Sequence, residues 1–176
     1  MGVLSLDDRG PWLFEELPDD GRSYEVVDGN LVVTPPPSQR HQLISSRLAR
    51  QLQALCPPQW EVVSELALPL GTDGRVPDLS VVRVDAPFGD RRRRYPVGPA
   101  WFGLVVEVVS DRSRKTDRFA KPGEYAEAGI ACFWRVEQEP TLRIHGYRLV
   151  DGIYVEQSAL PSPWGEVELD LSRLVA

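Results

Sequence analysis

The amino-acid sequence predicts one domain of the α/β (or α+β) class, with a mixed central β-sheet flanked by helices. Three observations support this prediction. The 176 residues are enough to bury one hydrophobic core. Short, valine-rich apolar runs indicate strands that are buried on both faces. Segments typical of helices separate these runs, so the predicted order is hairpin, helix, three strands, helix and further strands.

An N-terminal β-hairpin comes first in this order. Two β-rich runs, 24–27 and 31–34, flank Asp28-Gly29-Asn30. An Asp-Gly pair supplies the positive φ angles that a tight turn needs. Three prolines at 35–37 then end the second strand, because proline cannot continue the hydrogen-bond ladder.

The clearest helix follows these prolines. Ser38 is a suitable N-terminal cap, and Cys56-Pro57-Pro58 ends the helix. Between them, apolar residues recur at helical spacing, at Ile44, Leu48, Leu52 and Leu55. His41 lies three residues before Ile44, so we expect it on the buried face of the first turn.

Two strands are predicted after this helix, over 60–70 and 76–84. The turn residues at 71–74 should join them into an antiparallel pair. The second run contains Asp78 among β-branched residues, which places a carboxylate on a core strand.

The central strand of the predicted sheet is 101–109. It contains Glu107 within a run of apolar residues, between Gly103 and Ser110. A buried carboxylate is costly unless it is paired or bound to a metal. Glu107 therefore lies either at the open end of its strand or in a functional site.

A second helix is expected within 111–129. Asp117, Lys121 and Tyr125 are spaced four apart and share one helical face. Pro122 leaves two alternatives: the helix kinks after Lys121, or the main helix begins near Pro122. Gly129 ends it.

The last predicted strands are 130–136, 141–149 and 153–155. The tail from Leu160 is proline-rich and then weakly apolar. We expect a core over about 22–150 and a C-terminal extension over about 158–176 within the single domain.

Composition narrows the class of protein. The net charge of −6 and the pI of about 5.0 argue against a generic nucleic-acid-coating protein, although not against an enzyme that acts on nucleic acid. Cys56 and Cys132 form neither a disulfide framework nor a zinc cluster. Residues 1–8 lack the features of a signal peptide, and no apolar run approaches the ~20 residues of a membrane span. We therefore expect a cytoplasmic protein that is not in a membrane.

Asp78 and Glu107 together predict a site for a divalent cation. Adjacent strands can bring the two carboxylates to one ion, and hard cations such as Mg²⁺ take oxygen ligands. A nearby lysine can then stabilise developing negative charge at a phosphate. Lys121 follows Glu107 on the next predicted helix.

Several short stretches also occur in a characteristic order over about residues 12–149. They are 24–29, 36–38 followed by His41, Pro77-Asp78, 105–110, Asp117 with Lys121 and Tyr125, and 129–130 leading to 133–134. This ordered set resembles the PD-(D/E)xK nuclease superfamily, which has the restriction-endonuclease-like fold. Within that superfamily, the chain resembles the Uma-type family of bacterial restriction endonucleases.

The resemblance implies a metal-dependent phosphodiesterase that hydrolyses DNA, with Asp78 and Glu107 as ligands of Mg²⁺ or Mn²⁺. The lysine of the superfamily normally stands where this chain has Val109. In the Uma-type pattern a lysine on the following helix takes its place, here Lys121. Glu25 and His41 match family positions beside the site and are candidate catalytic residues. A homodimer is also implied by the resemblance.

Other residues have weaker claims. Glu65 and Asp117 are candidates to support the metal site from nearby. The basic run Arg91, Arg92, Arg93 and Arg94 is a candidate for phosphate contacts, or else a solvated loop. His145 is assigned no role.

Bland alternatives remain for several of these side chains. Asp117 could be a helix-start acid that suits the helix dipole. Lys121 could be a solvated helix residue, Glu25 a surface residue of an edge strand, and His41 a hydrogen-bonded core histidine.

Two rival functions stay open. Val109, Pro122 and the acidic pI motivate a nuclease-fold module without catalytic activity, which would act through nucleic-acid or protein binding. The other rival is a toxin-like or mobile-element accessory protein that works through a protein partner.

Overall fold

The computed structural model describes residues 11–17, 23–33, 36–87, 98–111 and 113–175. Its architecture is α+β and contains a six-stranded mixed sheet, a four-stranded sheet and a two-stranded hairpin, together with helices. The predicted fold class is thereby confirmed. The four candidate phosphate-binding arginines, Arg91 to Arg94, lie outside the described residues.

The elements are numbered here in chain order. The strands are β1 (Tyr24–Val27), β2 (Asn30–Val33), β3 (Trp60–Ser64), β4 (Leu68–Leu70), β5 (Asp73–Arg75), β6 (Leu79–Arg83), β7 (Phe102–Val108), β8 (Cys132–Glu137), β9 (Arg143–Val150), β10 (Ile153–Glu156), β11 (Leu160–Ser162) and β12 (Gly165–Val167). The helices are α1 (Gln39–Leu55), α2 (Lys121–Glu127) and α3 (Ser172–Val175), with a π-helical turn at Thr116–Ala120 and 3-10 turns at Phe14–Glu16 and Pro99–Trp101. Among the described residues, none of these helices has the length and apolarity needed to cross a membrane.

The six-stranded sheet has the order β10-β9-β8-β7-β6-β3. Its β7 and β8 are parallel, and all other neighbours are antiparallel. Parallel strands need a crossover connection, and the π-helical turn and α2 provide it. All residues of β7 are buried, which confirms the prediction of a central strand.

The side chains on the two faces of β7 belong to different hydrophobic clusters. Leu104, Val106 and Val108 belong to the core that also contains the apolar residues of α1. Val105 belongs to the core on the opposite face. Because side chains alternate along a strand, Glu107 shares this second face with Val105. The sheet therefore holds a carboxylate opposite the side covered by α1.

The predicted hairpin and first helix are confirmed. Asp28 and Gly29 have φ angles of 50° and 71°, and β1 pairs with β2 across this turn. The Ser38 hydroxyl accepts a hydrogen bond from the His41 backbone N–H, at 3.2 Å. This cap starts α1, in which His41 is buried.

The prediction of one strand over 60–70 is wrong, because two strands in different sheets occupy it. β3 ends at Ser64, and Glu65 has a left-handed φ of 51°. The chain then leaves the large sheet, and β4 pairs with β5 in the four-stranded sheet. The antiparallel pairing of β3 with β6 is as predicted. The strand predicted over 76–84 begins only at Leu79.

The alternatives at Pro122 are resolved in favour of a helix that starts beside it. α2 begins at Lys121 and has Pro122 in its first turn. The preceding π-helical turn ends with a hydrogen bond from the Lys121 N–H to the Thr116 carbonyl. A wider turn accommodates the proline ring, which would clash with a carbonyl one α-helical turn earlier.

The C-terminal tail forms regular structure that its composition does not predict. β11 and β12 form a small antiparallel hairpin, and α3 follows. The indole N–H of Trp134 donates to the carbonyl of Pro161 at 2.7 Å, and Leu174 is fully buried in the core beside α1. The tail therefore completes the core on the α1 face.

Candidate active site

Asp78 and Glu107 come together at one end of the β6–β7 pair. Leu79 pairs with Val106, so one further step of this antiparallel register places Asp78 opposite Glu107. The backbone N–H of Val108 donates to Asp78 Oδ2 at 2.6 Å. Asp78 lies just before β6 rather than within it. Its side chain is 21% exposed and therefore accessible from solvent.

Glu107 is nearly inaccessible, at 2% exposure, and both of its oxygens accept hydrogen bonds. Lys121 Nζ donates to Oε2 at 2.8 Å, and the Tyr125 hydroxyl donates to Oε1 at 2.6 Å. Burial raises the pKa of Glu107; the Lys121 charge opposes this shift, and the charges of Asp117 and Asp78 add to it. The charge of this buried carboxylate therefore depends on its ion pair with Lys121.

Lys121 lies at the centre of the buried carboxylates. Its Nζ is 2.8 Å from Glu107 Oε2, 3.1 Å from Asp117 Oδ1 and 3.8 Å from Glu25 Oε1. Burial lowers the pKa of Lys121, but the surrounding carboxylates outweigh burial and raise it overall. Lys121 is therefore a charged group within the cluster and not a solvated helix residue.

Asp117 is 1% exposed and faces the same cluster from the π-helical turn. Burial raises its pKa, while Lys121 and a hydrogen bond from Ser113 oppose the increase. Asp117 is a helix-start acid, as the alternative interpretation had it, but it is buried and paired with Lys121. The predicted grouping of Asp117, Lys121 and Tyr125 on one face is confirmed by their shared contacts around Glu107.

Glu25 reaches the cluster from β1 in the four-stranded sheet. Its Oε1 accepts a hydrogen bond from the Val76 N–H at 3.1 Å, and its Oε2 accepts one from Arg75 at 3.2 Å. Arg75 also donates twice to Glu124 of α2, at 2.7 and 2.6 Å. Arg75 is 3% exposed, so it ties the small sheet to α2 inside the protein. Glu25 is not a surface residue of an edge strand.

Three members of this network are not predicted by the sequence. Arg75 lies between the predicted turn at 71–74 and the predicted strand over 76–84, and nothing in its local sequence marks it. Glu124 lies beside Pro122 and has no distinguishing pattern. Tyr125 was placed on the correct helical face but was given no role at the site; its spacing from Lys121 could have identified it.

His41 contacts Asp78 from the first turn of α1. Its Nε2 is 3.2 Å from Asp78 Oδ2. Burial lowers the pKa of His41, but the hydrogen bond and charge of Asp78 outweigh it and raise the pKa overall. The other ring nitrogen, Nδ1, is buried and has no hydrogen-bond partner among the described residues.

Glu65 remains outside the cluster. Its backbone N–H donates to the Asp78 carbonyl at 3.2 Å, but its side chain is exposed. No contact joins this side chain to the carboxylates within the described part of the chain.

The donor set has the chemistry that a hard cation requires. Asp78, Glu107, Asp117 and Glu25 supply carboxylate oxygens, and no hydrogen bond occupies Asp78 Oδ1 among the described residues. The described part of the chain contains no group of three or more His, Cys, Asp or Glu side chains arranged to hold a metal ion. A pair such as Asp78 and Glu107 fits Mg²⁺ or Mn²⁺ when water and substrate phosphate complete the coordination.

Comparison with known proteins gives a consistent result. The family model Uma2, described as "Putative restriction endonuclease", matches residues 13–173. A similar solved structure is that of "a putative nuclease belonging to DUF820" from Anabaena variabilis, with a TM-score of 0.69. The two chains are 18% identical, and the match covers 90% of this chain and 93% of the other. No curated protein matches this chain. At this identity, the structural likeness shows a shared fold.

Proposed function

Because the chain belongs to the Uma2 family of restriction-endonuclease-like proteins, we propose that it is a Mg²⁺- or Mn²⁺-dependent endonuclease that hydrolyses phosphodiester bonds in DNA. Family membership supports a nuclease. The observation that carries the finer proposal is the convergence of Asp78 and Glu107 next to Lys121. DNA as substrate and a homodimeric assembly belong to the proposal and rest on the family resemblance.

In this proposal Asp78 and Glu107 hold the metal ion. When bound, the ion supplies Lewis-acid stabilisation of negative charge on the phosphate oxygens. Asp78 offers the accessible oxygen, while the Val108 N–H and His41 fix the orientation of its carboxylate. The Tyr125 hydroxyl fixes Glu107 in the same way. A carboxylate oxygen that accepts one hydrogen bond retains a lone pair for a further ligand.

Lys121 provides the positive charge next to the reacting phosphate. Its ammonium has three donors, and its carboxylate neighbours keep it protonated and aligned. It can therefore donate to the attacking water or to a phosphate oxygen as charge develops there. Val109, at the usual superfamily position, is buried and apolar and cannot do so.

The direct test compares cleavage by the wild type with that by Asp78→Asn and Glu107→Gln. Plasmid and single-stranded DNA are incubated with Mg²⁺ or Mn²⁺, and EDTA serves as the blank. Both variants keep the shape of the side chain but lose its charge, so we expect cleavage to fall at least about a hundredfold. Glu61→Gln is the matched control, because Glu61 is exposed on β3. This variant should cleave like the wild type.

Thermal unfolding of each variant checks that the fold is retained. Unchanged cleavage by folded Asp78→Asn and Glu107→Gln proteins would contradict the assignment. RNA of the same sequence is tested in parallel. Preferential cleavage of RNA would show that RNA, and not DNA, is the substrate.

A module without catalytic activity is the second candidate. The observation in its favour is that Lys121 and Tyr125 already occupy both oxygens of Glu107. Calorimetric titration with Mn²⁺ separates the candidates: binding to the wild type that is lost in Glu107→Gln supports the nuclease. Absence of both metal binding and cleavage supports the inactive module.

A further inference from the structure

A groove lies beside the carboxylate cluster and takes no part in the function proposed above. It encloses about 480 Å³, a volume within the usual range of small-molecule sites. The side chains that matter here are Arg118, Phe119, Arg135, Glu137, Arg143 and His145. We refer to this set as the arginine groove.

The register of the sheet places the arginine groove on the same face as Glu107. Glu107 pairs with Arg135 across the parallel strands β7 and β8. Arg135 pairs in turn with His145, and Glu137 pairs with Arg143, across β8 and β9. Paired residues point to the same face of a sheet. The groove therefore continues directly from the carboxylate cluster along the neighbouring strands.

Two of the three guanidinium groups of the groove are held in place before any ligand arrives. Arg118 donates to both oxygens of Glu137, at 2.9 and 2.8 Å, and Arg135 Nε is 3.0 Å from Glu137 Oε1. Arg135 also lies over the Tyr147 ring, 5.5 Å from its centre. Each guanidinium has five N–H donors, so both arginines retain donors for a phosphate.

Arg143 supplies a further positive charge. Its side chain is exposed and makes no ion pair or hydrogen bond to a side chain among the described residues. Arg118, Arg135 and Arg143 together outnumber the two acids of the lining, Glu137 and Glu139. The lining therefore suits an anion, in a protein whose total charge is negative.

Phe119 gives the groove an aromatic wall. Its side chain is 77% exposed, which is exceptional for a phenylalanine in a folded chain. It follows Arg118 in the π-helical turn, which also contains Asp117, a residue that faces the carboxylates. Such turns are frequent at functional sites. An accessible ring next to guanidinium groups is the arrangement that binds a base and its phosphate.

We propose that the arginine groove binds an unpaired nucleotide of the substrate, next to the scissile phosphate. The base stacks on Phe119, and Arg143 and Arg118 contact the phosphates. The faces of paired bases are covered by their neighbours in a duplex, so only an unpaired or displaced base can stack on this ring. The inference rests on the proposed function in that the ligand is nucleic acid, and it specifies substrates with a single-stranded segment.

Binding is measured by fluorescence anisotropy on the full chain, with a labelled single-stranded oligonucleotide and a blunt duplex of the same sequence. EDTA is present, so the result does not depend on cleavage. We expect the wild type to prefer the single strand. Phe119→Ala should weaken single-strand binding about tenfold, and Phe119→Trp should restore it.

Arg143→Ala tests the phosphate contact separately. The plot of log Kd against log salt should lose a slope of about 0.7, the value for one phosphate contact on a single strand. Two exposed residues provide matched controls: Ile153→Ala on β10 for Phe119, and Arg50→Ala on α1, across the sheet, for Arg143. Neither control should change Kd or the salt slope.

Equal loss of duplex and single-strand binding in Phe119→Ala would overturn the proposal, as would a wild type that does not bind the single strand. These outcomes differ from a failure of the nuclease proposal. If cleavage depends on Asp78 and Glu107 but Phe119→Ala binds the single strand normally, only the groove proposal is contradicted. If the protein does not cleave but Phe119→Ala selectively weakens single-strand binding, only the nuclease proposal is contradicted.

Discussion

The carboxylate cluster and the arginine groove lie on one face of one sheet, yet they differ in how the protein supports them. The cluster is built from side chains with almost no solvent contact, such as Glu107 and Asp117. The groove is built mostly from exposed or partly exposed side chains, such as Phe119 and Arg143, around the buried carboxylate of Glu137. Each cluster residue therefore depends on its neighbours for charge balance, whereas water reaches Arg118 and Arg143 in the groove.

Two ion pairs from successive helical turns make this contrast specific. Lys121 and Glu107 meet at 2.8 Å, with side-chain exposures of 9% and 3%. Arg118 and Glu137 also meet at 2.8 Å, but the Arg118 side chain is 37% exposed. The distances are equal and the surroundings are not. Because the distances are equal, burial should decide how much unfolding free energy is lost when one partner of each pair is removed.

The largest expected effect is that of Lys121→Met. This substitution leaves Glu107 and Asp117 buried without their cation, and the free energy of unfolding should fall by about 3–5 kcal/mol. Arg118→Met removes the equivalent cation from the groove and should change stability little, because Glu137 retains Arg135. Urea unfolding of both variants at neutral pH measures the difference.

A double variant distinguishes lost charge balance from lost packing. Lys121→Met combined with Glu107→Gln removes one charge of each sign, so it should recover part of the stability lost in Lys121→Met alone. Equal destabilisation by Lys121→Met and Arg118→Met would break the contrast between the two regions.

The sequence predicted the carboxylate cluster because its acids contradict their surroundings. Glu107 stands in an apolar strand, and Asp78 stands in a β-branched run predicted as a strand, so a partner or a metal ion was expected for each. The hairpin at Asp28-Gly29 and the helix begun by Ser38 were predictable for a related reason: local residue choice and structure agree there.

What the sequence did not predict depends on tertiary contacts. The exchange of sheets after Ser64 falls at Glu65, where no glycine or proline marks it; the proline of this run, Pro69, lies inside β4. Arg75 looks like a turn residue until the fold brings Glu25 and Glu124 to it. The arginine groove joins residues from the π-helical turn, β8 and β9, and exposed arginines are individually ordinary.

An intermediate effect is expected for Arg75→Met. Arg75 is as buried as the cluster, but its partner Glu124 has a side chain that is 31% exposed and can be hydrated. The free energy of unfolding should therefore fall by about 2–3 kcal/mol. Arg75 also positions Glu25 beside Lys121, so kcat should fall while KM changes little. Arg50→Met, on the exposed face of α1, is the matched control.

Glu124→Gln sharpens this result. It weakens one partner of Arg75 and retains the contact of Arg75 with Glu25, so stability should fall less than in Arg75→Met. A rise in KM without a fall in kcat for Arg75→Met would instead place Arg75 in substrate binding.

The smallest expected effect is the pH dependence of the pair in the groove. The hydrogen bonds from Arg118 hold the pKa of Glu137 below its ordinary value of 4.5. A carboxylate with a lowered folded pKa contributes stability above its unfolded pKa and loses that contribution as the pH falls through the folded value. The difference in unfolding free energy between the wild type and Arg118→Met should therefore be constant from about pH 7 down to about pH 5, and then shrink. Urea titrations across this range measure it, and Glu137→Gln should remove the pH dependence of the difference. A difference that grows on acidification would show that Arg118 acts through a group other than Glu137. It would also weaken the contrast between the buried cluster and the more exposed groove.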